Sequence, residues 1–275
     1  MRLLWAALFL LQSPTAPGAP GAPGAPGAPG APELVGRLEL RAGLDTLYGG
    51  GFPAAAAHFA ALAAEDTTDP APVIFEAGAY IWWAAALEND GYEAGRIDSL
   101  LDLAMARARH QAAVPARDFW VGTALGYRAR QRELRGHPWA AVKDARAMHD
   151  AYRRVLAADS ACTDCYLGLG VYQYGLARAS ALARFVARLI GLGTGDVATA
   201  MRYLRRVAHD GDLAQVEGTW VLAAALVREA ARDPGGKPVL EREARGYVER
   251  LAARYPGNSV FQRFLTEVPA PAPSP

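Results

Sequence analysis

The chain is short of most of what marks a catalytic or metal centre. Its 275 residues include 2 cysteines and 5 histidines, and no two histidines stand four apart. A structural zinc site takes four ligands, so this supply excludes a conventional one. There is no Gly-x-Ser-x-Gly elbow, no His-Glu-x-x-His pair, no phosphate loop and no dinucleotide fingerprint after a strand. No catalytic residue, cofactor or metal is therefore expected. An excess of either charge is missing too: 29 basic residues face 28 acidic ones. That balance argues against a nucleic-acid partner, which needs a basic patch or stripe. No stretch of 18 consecutive apolar residues exists, so no membrane span is expected. Strand signals are scarce, with no Asn-Gly or Asp-Gly between alternating apolar runs.

What the chain has in plenty is alanine, with 59 residues, and an apolar fraction of 52%. Arginine outnumbers lysine heavily; Lys143 and Lys237 are the only lysines. Alanine, leucine, arginine and glutamate are strong helix formers. Breakers interrupt them at regular intervals: Gly49-Gly50-Gly51, Asp69-Pro70, Asp90-Gly91, Pro115, Gly136-His137-Pro138, Ser160, Gly191 to Gly195, Asp210-Gly211, Pro234-Gly235-Gly236 and Pro256-Gly257. The stretches between them predict about twelve helices joined by short loops, an all-α fold.

Both ends read differently from the middle. Arg2 precedes the apolar run Leu3 to Leu11, followed by small residues and proline. At about 1.5 Å per residue this run cannot cross an apolar layer of about 30 Å. Its pattern is that of a secretory signal. Residues 1–18 are read as the signal, with the mature chain starting at or after Ala19, and the expected location is periplasmic or secreted. An ordinary buried helix is the alternative. Five Gly-Ala-Pro triplets span Gly18 to Pro32, and residues 19–32 read as an extended polyproline-type linker. Residues 269–275, PAPAPSP, read as an unstructured tail. The helical domain is then 33–268.

Four segments share one pattern of small and large residues. Residues 163 to 177 carry Tyr166-x-x-Leu169-Gly170, with Gln173 where a tyrosine would complete the motif. Residues 50 to 62 carry Phe52-x-x-Ala55-x-x-x-Phe59. Residues 195 to 208 carry Ala200-x-x-x-Leu204, and residues 244 to 256 carry Ala244-x-x-x-Val248 and close on Pro256. Small residues let two helices approach, and large ones fill the holes beside them. By these motifs the chain resembles tetratricopeptide-repeat proteins, in particular exported bacterial ones with degenerate repeats. The resemblance implies a TPR-like α-solenoid of antiparallel helix pairs. It also implies packing roles for Phe52, Ala55, Phe59, Tyr166, Leu169, Gly170, Ala200, Leu204, Ala244 and Pro256.

One repeat is interrupted. After Gly170 the next Gly-Asp turn is expected near 177 but stands at 195. Residues 178–194 are read as an insertion, in which Leu182, Phe185, Val186, Leu189 and Ile190 form one apolar stripe with Arg184 and Arg188 off it. That stripe is open to burial against the chain itself, against a partner protein or against a membrane surface.

Three features of the sequence bear on chemistry. Cys162-Thr163-Asp164-Cys165 lacks the histidine that follows a haem-binding pair. A local disulfide is expected in an exported chain, with two reduced, packed cysteines as the alternative. Trp82, Trp120, Tyr127 and Tyr174 are candidate partner-binding aromatics, with inter-repeat packing as the alternative. The basic run Gly126 to Arg135 holds four arginines, Arg128, Arg130, Arg132 and Arg135, that could bind an acidic peptide or a phosphate group; Arg128 and Arg132 are the candidate partner-binding residues, with a solvated face as the alternative. The expected function is a non-catalytic scaffold or assembly module that binds a protein or peptide. A membrane-surface protein touching lipid through residues 178–192 is the other reading, and behind it a helical hydrolase.

Overall fold

The computed structural model describes residues 31–180 and 192–268. The segments expected to be the signal and the tail, most of the expected linker and the core of the expected insertion lie outside the described residues. The fold is all-α, with eleven helices and no strand among the described residues. In chain order they are α1 (Ala31–Tyr48), α2 (Phe52–Glu65), α3 (Ala71–Ala86), α4 (Ala94–Arg109), α5 (Val114–Leu134), α6 (Pro138–Ala158), α7 (Cys165–Arg178), α8 (Val197–Asp210), α9 (Gln215–Ala230), α10 (Lys237–Arg254) and α11 (Ser259–Glu267).

The loops fall on the breakers. Proline occupies one of the first two positions of α2, α3, α5, α6 and α10, where its missing N–H costs no helical hydrogen bond. Asp196 caps α8 by accepting from Thr199 N at 2.7 Å. Asn258 caps α11 by accepting from Val260 N at 3.0 Å.

Each helix packs on its neighbours in sequence, which gives a solenoid-like array. In addition α1 touches α3, α3 touches α5, and α5 touches α7. These odd-numbered helices thus share a layer. The most central of them is α3, with thirteen of its sixteen residues buried. A helix that is apolar all round must be enclosed on every side, and VIFEAGAYIWW is such a sequence.

The two helices that flank the expected insertion pack as one unit. Although 18 residues separate α7 from α8, the two helices lie against each other. A Cβ on Gly170 would stand 2.9 Å from Leu204 Cγ and 3.3 Å from the Ala200 carbonyl oxygen. Ala200 and Leu204 are wholly buried. Of the inserted residues, Arg178 ends α7 and residues 192–194 are non-helical; Leu182, Phe185, Val186, Leu189 and Ile190 lie outside the described residues.

The two ends of the array meet. Asn258, fully buried, donates from Nδ2 to the Tyr48 carbonyl at 2.9 Å. Tyr255 donates its hydroxyl to Asp45 at 2.6 Å. Gly50 adopts φ +91°, and a Cβ there would lie 2.4 Å from the Gly257 carbonyl oxygen. The first turn therefore touches the last backbone to backbone. α11 also docks on α3: Phe261 meets Trp82 edge-on at 5.7 Å between ring centres. Arg263 donates to the carbonyls of Ala85 and Ala86 at 3.3 and 3.2 Å and pairs with Glu88. A guanidinium placed there satisfies carbonyls that the end of α3 leaves open. Arg37 and Arg41 of α1 both pair with Asp212, in the turn before α9.

Replacing Gly170 by leucine should overpack the α7–α8 contact and cost about 1–3 kcal/mol. Ala200→Leu should behave the same way. Chemical denaturation of the two variants measures this, and unchanged stability in both would contradict the contact.

Candidate functional site

The inner layer encloses a cavity of about 430 Å³, partly open to solvent. Its walls follow helical periodicity. On α5 the lining residues are Phe119, Trp120, Thr123, Gly126, Tyr127, Arg130 and Leu134. Steps of three and four residues keep them on one face. On α7 the same spacing brings Leu167, Val171 and Tyr174. On α9 it brings Glu217, Trp220, Ala224 and Arg228. α3 adds Phe75, Trp82 and Ala85, and α6 adds Met148 and Tyr152.

Aromatic rings make much of the wall. Trp82 and Trp220 stand 5.9 Å apart, and both contact Phe261 at 5.7 Å. Phe75 meets Trp120 edge-on at 6.1 Å. Such offset and edge-on pairs hold the rings in fixed orientations.

Set into this wall are charged groups. Tyr127 donates its hydroxyl to Glu217 Oε2 at 2.5 Å, joining residues ninety positions apart. Burial pushes the Glu217 carboxyl above its ordinary value, while the Tyr127 bond and the Arg130 charge act the other way. The Tyr127 hydroxyl is raised well above its usual range, first by burial and then by the Glu217 charge. Arg130 and Arg228 are both lowered, chiefly by burial. Glu217, Tyr127 and Arg130 keep part of their surface open to the cavity although protein surrounds them deeply. A charge so placed carries a desolvation cost that a solvated surface charge does not.

Asp164 lies between the two cysteines and at the cavity edge. Cys162 and Cys165 are joined in a disulfide. Across the turn, Asp164 accepts from Asp212 N at 2.7 Å and Leu213 N at 2.9 Å. Burial raises the Asp164 carboxyl, and those backbone bonds oppose the rise. The cysteine pair thus closes a short loop around the carboxylate that braces the approach to α9. A loop this short gains little from chain entropy.

Of the candidate partner residues, Trp82, Trp120, Tyr127 and Tyr174 all line this cavity. Trp82 is almost wholly buried, packed among Tyr48, Trp220 and Phe261. Tyr174 donates to Glu229 at 2.9 Å. Arg128 and Arg132 stand elsewhere. Arg128 reaches Asp144 at 2.8 Å and Asp102 at 2.9 Å, and Arg132 reaches Asp144 at 2.6 Å. Their charges tie α5 to α4 and α6. Among the packing residues, Phe52, Ala55, Phe59, Leu169 and Ala244 are buried. Tyr166 is half-buried under the Arg206 guanidinium, 4.2 Å from the ring centre. Pro256 is exposed and terminates α10 rather than packing.

Arg130 is one of the four arginines of the basic run, whereas Glu217 and Arg228 carry no signal in the sequence. Trp120, Tyr127 and Arg130 lie on one helical face of α5 while Arg128 and Arg132 do not, which sets Arg130 apart from the rest of the run. Among the described residues, no group of three or more His, Cys, Asp or Glu side chains is placed to hold a metal ion. The chain matches no protein-family model, no curated protein and no solved structure.

Tyr127→Phe leaves the buried Glu217 carboxyl without its donor and should cost about 1–3 kcal/mol in stability. The folded carboxyl value lies above the unfolded one, so between the two the folded state holds more protons. Stability from this group should fall as pH rises from its ordinary value of 4.5. Glu217→Gln should flatten that fall. Denaturation of both variants across pH checks the two statements together; identical pH profiles for wild type and Glu217→Gln would refute the second.

Proposed function

We propose that this protein is an exported, non-catalytic TPR-like module whose antiparallel helix pairs form a solenoid that binds a protein or peptide on its inner face. It serves as a scaffold or assembly component. The observation that carries this reading is the inner cavity, walled by Phe75, Trp82, Trp120 and Trp220 and holding Glu217 and Arg130. Aromatic pockets with a few fixed polar groups are where binding energy concentrates. A volume of about 430 Å³ suits an anchoring segment of a partner, not a whole domain.

The chemistry of the walls supports binding over catalysis. Thr123 supplies the only serine or threonine hydroxyl among the described lining residues. Its Oγ1 donates to Phe119 O at 2.9 Å and shares a 3.0 Å contact with the Tyr152 hydroxyl. Neither neighbour is a base that would activate it.

A photoreactive phenylalanine analogue at Trp120 should crosslink a protein or peptide partner in intact cells. The same analogue at Trp139, 64% exposed on α6, should not. The crosslinked chain should come from the exported fraction with its N-terminus at or after Ala19. Crosslinks at Trp139 alone would move the binding surface to the outside, and a cytoplasmic chain retaining Met1 would remove export.

A further inference from the structure

We infer that the cavity recognises a carboxylate carried on an apolar body, with Arg130 as the residue that binds the anion. The inference rests on the reading that the partner enters the inner cavity, and it names the group the cavity reads. That group is a free carboxylate beside apolar carbon, as at the C-terminus of a peptide or in a medium-chain organic acid.

Arg130 differs from its neighbours on α5. Arg128 and Arg132 bind Asp144, and Arg135 binds Asp98 at 2.5 Å through Nη2. Arg130 lines the cavity and makes no side-chain hydrogen bond or ion pair with the described residues. The carboxylates that act on it, Asp90, Glu217 and Glu133, do so without ion-pair contact. Glu217 is already engaged by Tyr127. A guanidinium stays charged when buried, and leaving it without an acceptor is costly.

The acceptor that fits is set by shape and charge. The planar fork of donors matches the two oxygens of a carboxylate. Asp90 and Glu217 beside it disfavour a second negative charge on the ligand, which favours a carboxylate over a phosphate dianion. Beyond Tyr127 the wall is mainly apolar, with Thr123, Tyr152 and Asp164 as its polar groups. At about 1.5 Å per residue, Trp120 lies about 15 Å from Arg130 along α5. Phe75, Trp82, Met148 and Trp220 complete that wall. The cavity is within the roughly 300–1,000 Å³ range of small-ligand sites.

The test is isothermal titration of the full chain with four probes. They are decanoate and decanol, and a tetrapeptide ending in Leu-Phe with a free or an amidated C-terminus. At least one carboxylate should bind about tenfold or more tightly than its neutral analogue, the size expected of a charge-assisted hydrogen bond. Arg130→Gln should abolish that preference, and Arg130→Lys should keep only part of it. Equal binding of charged and neutral probes, no binding of either carboxylate, or a preference that survives in Arg130→Gln would each overturn the inference. Should Arg130→Gln fail to fold, the comparison of probes on the wild-type chain decides alone. Free and amidated peptide binding equally, with decanoate and decanol also equal, would leave the peptide reading standing and remove the carboxylate. Decanoate binding through Arg130 with no peptide binding would do the reverse.

Discussion

The structure depends on one junction, where Asn258 is buried between the first and last turns of the described helical array. Its side-chain oxygen caps α11 and its amide nitrogen holds the Tyr48 carbonyl. Both halves of a fully buried amide are thereby satisfied, which is what permits its burial. Around it Gly50 and Gly257 bring two turns within backbone contact, at a distance no side chain would allow. A solenoid-like array of helices normally contacts only its nearest repeats. Here the last helix also sits on α3, the turn before it meets the end of α1, and the array is closed on itself.

Closure explains why the inner aromatics are held as they are. Phe261 and Phe264 come from α11, yet they pack on Trp220 of α9, and Phe261 reaches Trp82 of α3. Without α11, the rings of α3 and α9 would face solvent. With it they become one side of a cavity whose other side is α5, α6 and α7. The polar bond between Tyr127 and Glu217 spans the same space from α5 to α9. Closing the array therefore does two things: it buries apolar surface, and it desolvates the charges that give the cavity its chemistry.

Much of the fold was legible in the sequence, because helices and their ends are local. The breakers mark the loops, and Gly170, Ala200 and Leu204 could be aligned from small-and-large spacing alone. α7 and α8 meet at those residues despite the 18 that separate the helices. The site was legible only in part. Trp82, Trp120, Tyr127 and Tyr174 stand out as large aromatic residues, and all reach the cavity. Arg128 and Arg132 stand out as charge, but each is rotated off that face and spent on Asp144. Glu217 is an ordinary glutamate on an ordinary helix until closure sets it against a tyrosine ninety residues earlier. Nothing local encodes that meeting, and the contact between Asn258 and Tyr48 is illegible for the same reason.

The central claim is that the C-terminal helix closes the array and thereby builds the cavity. Amide hydrogen exchange on the full chain and on a chain ending at Gly257 tests it directly. Loss of α11 should raise exchange in the second half of α3, around Ile81 to Leu87, and in α9 around Glu217 to Ala225, far from the cut in sequence. It should also weaken protection near Tyr48, whose carbonyl loses the Asn258 donor. Exchange that rises only in α10, beside the truncation, with α3 and α9 unchanged, would contradict the account.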